Sequence, residues 1–312
     1  MLRRTVAQLG GLAATLVIAS MVIFAALVLT PGDPVSAIIG GVQPSEELIA
    51  QVRADYHLDA PVWERYLLWV GGILAGDLGQ SMVYKSDIAT LLAPRIGVTV
   101  SLVAYAAAIV AVVGVGSGIL ASRGGRLDRL VLVATSIGLA MPTFIVAILL
   151  VWIFARLLGW FPVLGAGDGG WDTVWHLTLP ALSLALVFIA YVSRIVRGAL
   201  VAQQDLEHVE TARVRGIPSG RIFRAHILRN ASPQILAISG TTFAAMFATA
   251  AIAEHAFGLG GVGALFTEAA SRKDLPVVQV IALMMVAVFV VANVVVDVLI
   301  AVVDPRSVKE RP

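Results

Sequence analysis

The chain has 312 residues, of which 59% are hydrophobic and 13% are charged, and its mean hydropathy is +0.91. Soluble domains carry about a quarter charged residues, so this composition excludes an ordinary soluble protein and indicates a protein surrounded by lipid. The formal net charge of +2 is small, and the lack of cysteine excludes disulfides, thiolate chemistry and cysteine-bound metals.

Six apolar runs reach the length of about 20 residues that crosses the core of a bilayer. The first run follows Arg3 and Arg4, is too long for the apolar part of a signal peptide, and ends at Pro31-Gly32-Asp33-Pro34 rather than at a cleavage site. We therefore expect it to be retained as the first of six transmembrane helices in an all-α protein. The runs cover roughly residues 9–29, 97–121, 130–158, 177–196, 235–253 and 277–303.

The placement of arginine predicts the orientation of these spans. Basic residues gather at the N-terminus, in the loops after the second and fourth runs, and at the C-terminus. These four segments alternate onto one side, which the positive-inside rule assigns to the cytoplasm, so both termini are expected to be cytoplasmic. We expect a single transmembrane domain over 1–312, with an extracytoplasmic loop at 31–96 and a cytoplasmic loop at 197–232.

The extracytoplasmic loop contains two segments with the apolar periodicity of amphipathic helices. We expect both helices to lie on the outer membrane surface or against the spans. One apolar face consists of Leu48, Ile49, Val52 and Tyr56, and the other of Val62, Trp63, Tyr66, Leu67 and Val70.

The predicted spans contain few ionisable residues. Spans one to five have none in their cores, and Asp297 of the sixth lies near its expected cytoplasmic end. An ion-driven transporter normally needs several carboxylates near the midplane, so this pattern argues against one.

Motifs for catalysis are also missing from the sequence. None of the three lysines follows a glycine, so there is no Walker A loop, and any ATP hydrolysis must come from a partner protein. We find no zinc-protease motif and no aspartate pair within the spans. The nearest approach to Gly-x-Ser-x-Gly contains Gly114 and Gly118, whose spacing predicts close helix packing. We expect no enzyme activity, cofactor or metal site in this chain.

Scattered hydroxyl groups are candidates for a weakly polar path through the membrane. Each has the alternative of bonding to a neighbouring helix or to its own backbone. Pro142 removes a backbone hydrogen bond in the middle of the third span and is expected to kink it. With Pro142, the candidate path residues are Ser136, Thr143, Ser239, Thr241 and Thr242.

The loop after the fourth run has the most specific pattern in the sequence. Residues 205–215 have helical periodicity, Gly216 fits the end of that helix, and Pro218 prevents its continuation. A second helix is predicted after Ser219-Gly220. The pair is either a basic surface loop or a docking element for a soluble partner. The apolar faces include Val209 and Ala212 in the first helix, and Ile222, Phe223 and Ile227 in the second.

Glu210-Thr211-Ala212-x-x-x-Gly216, followed by His226-Ile227-Leu228-Arg229-Asn230, resembles the EAA loop of ABC-importer permeases, and most closely that of the dipeptide/oligopeptide permease family. In that family the loop forms a coupling helix that sits in a groove of the ATPase subunit. The resemblance implies charge or an N-terminal cap from Glu210, the turn from Gly216, and partner contacts or loop stabilisation from Arg215 and His226. The implied ATPase-coupling set is Glu210, Thr211, Ala212, Arg215, Gly216 and His226.

The resemblance extends along the whole chain in the family's order. One departure follows Glu254-His255-Ala256-Phe257, where the family usually has Pro-Gly-x-Gly and this chain has Gly260-Gly261-Val262-Gly263, which predicts a more flexible loop. Further matching segments are Leu58-Asp59-x-Pro61, Gly76-Asp77-Leu78-Gly79-Gln80-Ser81, His176-Leu177-x-Leu179-Pro180, Asp274-x-Pro276-Val277-Val278-Gln279 and Asp304-Pro305-Arg306.

The resemblance implies a type I ABC-importer permease fold (MetI-like) in the bacterial inner membrane. It also implies a second homologous permease chain, two ATPase subunits that bind ATP and Mg, an extracytoplasmic substrate-binding protein, and di- or oligopeptides as substrate. Lipid is the expected surrounding and nucleic acid is not an expected partner. Alternatives are an importer of the same family for nickel chelates, haem or glutathione, an ion-driven secondary transporter, and a non-transporting membrane scaffold.

Overall fold

The computed structural model describes residues 2–29, 47, 50 and 59–303, with residues 2–9 described through their backbone alone. Within these ranges the regular structure is helical, apart from one isolated antiparallel bridge between Gln80 and Asp87. Three π-helical segments continue α-helices, at Val110–Gly114, Val151–Leu157 and Phe223–Leu228. The α-helices are α1 Leu2–Val28, α2 Val62–Ala75, α3 Ile88–Ile109, α4 Val115–Ala121, α5 Gly125–Ala140, α6 Thr143–Leu150, α7 Gly170–Gln204, α8 Glu207–Val214, α9 Ser219–Ile222, α10 Arg229–Ala256, α11 Val262–Ser271 and α12 Leu275–Val303.

Helices long and apolar enough to cross a membrane occur at all six predicted positions. Among the described residues, five pass as single helices, and a bent pair provides the sixth when it counts as one span. The prediction of an all-α protein with six spans is therefore confirmed. We number them spans 1 to 6: Gly10–Val28, Ile88–Ala121, Gly125–Ala140 with Thr143–Leu157, Gly170–Gln204, Ser219–Ala256 and Leu275–Val302.

Span 3 is broken in its middle. Met141 has extended backbone (φ −90°, ψ 120°), Pro142 follows at φ −60° and ψ 139°, and the two helices meet at 102°. A residue before proline is pushed out of the helical region, and proline itself has no N–H to continue a helix. The kink predicted at Pro142 is thus confirmed, and it amounts to a complete interruption of the helix.

The chain divides into two compact units, the first formed by 1–97 with 264–290 and the second by 98–263 with 291–312. In the first unit, the ring of Phe24 on α1 lies 5.5 Å from the ring of Tyr66 and 5.8 Å from that of Trp69. This packing confirms the second predicted amphipathic helix as α2. The first predicted one, at 48–56, lies outside the described residues.

A buried carboxylate holds another part of the first unit together. Asp274, just before α12, is fully buried, and the Ser81 hydroxyl donates a hydrogen bond to its Oδ2. The backbone N–H groups of Met82 and Val83 also donate to this carboxylate, at 3.1 and 3.3 Å. These three donors supply the hydrogen bonds that a buried carboxyl group requires.

Span 4 forms the centre of the second unit, and small residues let span 2 approach it closely. A Cβ placed on Gly118 would lie 2.7 Å from both the Ser193 carbonyl oxygen and the Val196 Cβ, and one on Gly114 would lie 3.4 Å from Val192. The Ser117 hydroxyl donates to that of Ser193 at 3.0 Å. The close packing predicted for Gly114 and Gly118 is confirmed.

Candidate functional site

The loop between spans 4 and 5 contains α8, which is anchored on one face and exposed on the other. Val209 and Ala212 are buried in the core of the second unit. Glu210, Thr211 and Arg215 are exposed. The predicted helix is confirmed. Its exposed residues form a short polar surface that is not buried in the core.

The C-terminus of α8 is closed by a Schellman motif at Gly216. The glycine has φ +72°, and its N–H donates to the Arg213 carbonyl at 2.9 Å, while the Ile217 N–H donates to the Ala212 carbonyl at 3.2 Å. Both hydrogen bonds satisfy carbonyls that the helix leaves without partners. A side chain at this φ is strained, so the sequence requires glycine here.

The N-terminus of α8 has a charged first turn without a side-chain cap. Leu206 precedes the helix, and no side-chain capping hydrogen bond is present at this described position. This observation concerns Leu206, so the N-terminal cap expected from Glu210 stays a prediction. Glu207 and Glu210 lie in the first turn, where a negative charge interacts favourably with the helix dipole. The charge alternative for Glu210 stays a prediction.

His226 lies in the π-helical segment that follows α9, and its ring faces α8. The ring centroids of His226 and His208 are 6.1 Å apart, and Asn230 Nδ2 is 3.2 Å from His208 Nε2. These contacts join α8 to the start of span 5. The structure therefore places His226 beside α8, while loop stabilisation and contact with a partner protein both stay predictions.

The turn at Gly216 leads directly into a long continuous helix. Span 5 covers Ser219–Ala256, 38 residues. At 1.5 Å per residue its length is about 57 Å, which exceeds the roughly 30 Å hydrocarbon core of a bilayer. Span 5 therefore begins three residues after the turn at Gly216 and is longer than that core is thick.

The candidate path residues of span 3 separate into two environments. The Ser136 hydroxyl donates to the Leu132 carbonyl at 2.8 Å and accepts from Arg194 Nη2 at 2.6 Å. Pro142 is exposed at the break and Thr143 begins the next helix, half-buried. Ser136 thus contributes to the contact with span 4, where Arg194 lies.

The candidate path residues of span 5 share one helix but do not share one surface. Ser239 donates to the Ile235 carbonyl at 2.7 Å, and Thr241 donates to its own helix in the same way. Thr241 is exposed, whereas Thr242 is buried and its hydroxyl has no hydrogen-bond partner among the described residues. Ser239 and Thr241 therefore have the backbone-bonding role that the sequence left as the alternative.

Span 5 also contains a carboxylate that the sequence analysis placed outside the membrane helices. The predicted run ends at residue 253, but the helix continues to Ala256 with Glu254 fully buried in its last turn. The Thr99 hydroxyl donates to Glu254 Oε1 at 2.5 Å. The expectation concerned the cores of the spans, and Glu254 lies outside the core of span 5, in its last turn; the extension of the helix beyond the apolar run to include this carboxylate was missed in the sequence.

No group of three His, Asp or Glu residues that could hold a metal ion occurs in the part of the chain that the structure describes. Ionic contacts there are pairs. Arg197 of span 4 donates to both carboxylate oxygens of Asp128 on α5, at 2.5 and 2.6 Å. Such a bidentate pair fixes the orientation of both side chains and joins spans 3 and 4.

Known proteins resemble this chain over nearly its full length. A probable peptide ABC transporter permease of Sinorhizobium fredii is 31% identical over 95% of this chain and 96% of its own length. The glutathione transport system permease of Escherichia coli is 31% identical over 98% of both chains. Among solved structures, the fold is similar to the MetNI methionine ABC transporter in an inward-facing conformation, with a TM-score of 0.56 and 18% identity over 69% of this chain and 96% of that one.

The N-terminal part and the larger C-terminal part of the sequence each match a known protein family. Residues 110–309 match the family described as binding-protein-dependent transport system inner membrane component, and residues 1–103 match the family of its N-terminal part. The six apolar helices agree with this assignment, which makes the protein a multi-pass protein of the bacterial inner membrane. The chain belongs to the binding-protein-dependent transport system inner membrane components, the permease subunits of ABC importers.

Proposed function

We propose that this chain is the permease subunit of an ATP-driven importer of di- and oligopeptides. The observation that carries the proposal is the full-length similarity to a probable peptide ABC transporter permease, at 31% identity over 95% of this chain. One face of α8 is exposed, and the turn at Gly216 connects the helix to span 5, which supports a permease that takes its motion from another protein.

The complete transporter has further subunits in this proposal. A second homologous permease chain completes the path, and two ATPase subunits bind ATP and Mg, because this sequence has no Walker A loop. A substrate-binding protein delivers the peptide from the extracytoplasmic side, in keeping with the family's description. The chain itself has no catalytic role, and the complex hydrolyses the ATP.

Coupling in this proposal is mechanical and begins at α8. The exposed Glu210, Thr211 and Arg215 contact the ATPase subunit, and the buried Val209 and Ala212 transmit its movement into the core. ATP binding closes the ATPase dimer, displaces α8, and moves span 5 as a rigid body. The membrane path then changes its accessibility from the inside to the outside.

The path itself is proposed to contain Pro142 and Thr143 at the break of span 3, with Thr242 in span 5. Thr242 is the strongest member of the set, because its buried hydroxyl lacks a hydrogen-bond partner in the part of the chain that the structure describes, while those of Ser239 and Thr241 bond their own helix. Ser136 contributes by holding Arg194.

Reconstitution tests the proposal directly. The tagged chain is isolated in mild detergent with the proteins that accompany it, placed in liposomes, and supplied with ATP, the binding protein and a mixture of peptides. We expect one homologous permease and two ATPases in the complex, and peptide uptake that requires ATP. Isolation of the chain alone, or uptake that ignores ATP and collapses with an uncoupler, would contradict the proposal.

Substitution of Gly216 tests the coupling role of α8. Proline is fixed near φ −65° and has no N–H, so Gly216→Pro loses both the +72° backbone and the hydrogen bond to Arg213. We expect a normally inserted complex whose uptake and substrate-stimulated ATPase activity fall roughly tenfold or more, the scale of coupling between two sites. Gly220→Ala is the matched control, because a Cβ there meets no atom within 4 Å. Full coupling in Gly216→Pro would overturn the role.

Glutathione is the second candidate substrate. The glutathione transport system permease of Escherichia coli matches this chain over 98% of both lengths, so its similarity is as extensive as that of the peptide permease. The same liposomes separate the two candidates. Uptake of glutathione without uptake of ordinary di- and oligopeptides would favour the second one.

A further inference from the structure

One hydroxyl group joins three elements at the end of span 5 that is remote from α8. The Thr99 hydroxyl, in span 2, donates to Glu254 Oε1 at 2.5 Å, and Thr99 Oγ1 accepts the backbone N–H of Val262 at 2.8 Å. Glu254 lies in the last turn of span 5, and Val262 is the first residue of α11. Thr99 and Glu254 are both buried.

The segment that follows span 5 folds back towards Thr99 and Glu254. The Leu259 N–H donates to the Glu254 carbonyl at 2.9 Å. A Cβ placed on Gly261 would overlap the Glu254 carboxylate, and one on Gly263 would lie 2.6 Å from the Ala251 Cα. Both glycines are therefore required by the close approach of the backbone. Gly261 and Gly263 are both buried, and the greater flexibility expected of this glycine-rich loop stays a prediction.

The position of this link along span 5 connects it with the coupling loop. Span 5 runs from Ser219, three residues after the turn at Gly216, through the π-helical segment Phe223–Leu228 to Ala256, two residues after Glu254. The two ends are about 57 Å apart. A rigid helix that contacts its neighbours at both ends can carry coupling over such a distance. The contact at the α8 end joins His208 and His226, and the Thr99–Glu254 link is a contact at the other end.

We propose that Thr99 and Glu254 are positioning residues for transport, whose hydrogen bond makes the far ends of spans 2 and 5 move together when α8 is displaced. The inference rests on the proposed function. It adds a role for the end of span 5 that is remote from α8. The link binds no substrate. When span 5 moves, the hydrogen bond makes span 2 move with it. The loop that is hydrogen-bonded to Thr99 through Val262 moves with both spans.

A matched pair of substitutions tests the link. Thr99→Val keeps the shape of the side chain and removes the hydroxyl, whereas Thr99→Ser keeps the hydroxyl. In the reconstituted complex we expect Thr99→Val to retain basal ATPase activity and to lose substrate stimulation and uptake roughly tenfold. Thr99→Ser is expected to restore both. A purely structural role would lower the amount of complex and both activities in proportion, and that result, or full coupling in Thr99→Val, would overturn the proposal.

A second measurement does not depend on the folding of Thr99→Val. The chain has no native cysteine, so spin labels at Val100→Cys and Ile252→Cys, both exposed positions beside the link, report the separation of spans 2 and 5. We expect this distance to stay constant between the nucleotide-free and ATP-bound complexes, because the two spans move as one body. A change in the distance would overturn the proposal. Absence of ATP-dependent uptake in the unsubstituted complex would instead refute the proposed function.

Discussion

Asp274 is the residue on which the local structure of the first unit depends most. Its fully buried carboxylate accepts hydrogen bonds from the Ser81 hydroxyl and from the N–H groups of Met82 and Val83. Asp274→Ala leaves these donors buried without an acceptor, so we expect a loss of about 3 kcal/mol or more in the free energy of unfolding. The measurement is the thermal midpoint of the detergent-solubilised protein, followed by size-exclusion chromatography.

Two further variants make the Asp274 prediction specific. Asp274→Asn keeps one acceptor oxygen and is expected to have an intermediate midpoint, whereas Asp205→Ala removes an exposed carboxylate and should leave the midpoint unchanged. Equal midpoints for Asp274→Ala and Asp205→Ala would show that the buried hydrogen bonds contribute nothing. Sequence alone did not give Asp274 this role, because its hydroxyl partner lies 193 positions away and no local pattern indicates such a pairing.

At the scale of elements, the contact of spans 2 and 4 depends on one glycine. Gly118 faces span 4 with no room for a Cβ, whereas a Cβ on Gly116 meets no atom within 4 Å. Overpacking costs about 1–3 kcal/mol, so Gly118→Ala is expected to lower the thermal midpoint. Gly116→Ala should leave it unchanged or raise it, because alanine favours a helix over glycine by up to about 1 kcal/mol. Equal effects of the two substitutions would contradict close packing at Gly118.

The elements also show how far sequence reasoning extends in this protein. Apolar runs predicted all six spans, and Gly216 with Pro218 predicted the end of α8, since both signals are local. The 102° break at Pro142 was predicted in position but not in size, because proline fixes only the local backbone. The Thr99–Glu254 link was missed, since its residues are 155 positions apart and Glu254 falls just beyond the apolar run.

At the scale of the whole molecule, the proposed function demands one orientation in the membrane. ATPase subunits reach α8 only from the cytoplasm, so the loop between spans 4 and 5 must lie there, together with both termini. Exposed arginines favour this side by the positive-inside rule, at positions 213 and 215 of that loop and at positions 221, 224 and 229 in the first part of span 5. Span 5 then carries the chain across, which puts the segment between spans 5 and 6 outside.

Single cysteines provide a direct test of this orientation, because the chain has none of its own. Ser219→Cys and Ser271→Cys are matched changes at exposed positions on the two sides of span 5. In intact spheroplasts, a membrane-impermeant thiol reagent is expected to label Ser271→Cys and to leave Ser219→Cys unlabelled until the membrane is permeabilised. The reverse pattern would place α8 outside, where no ATPase can reach it, and would refute coupling through this loop even if the fold and the family assignment stand.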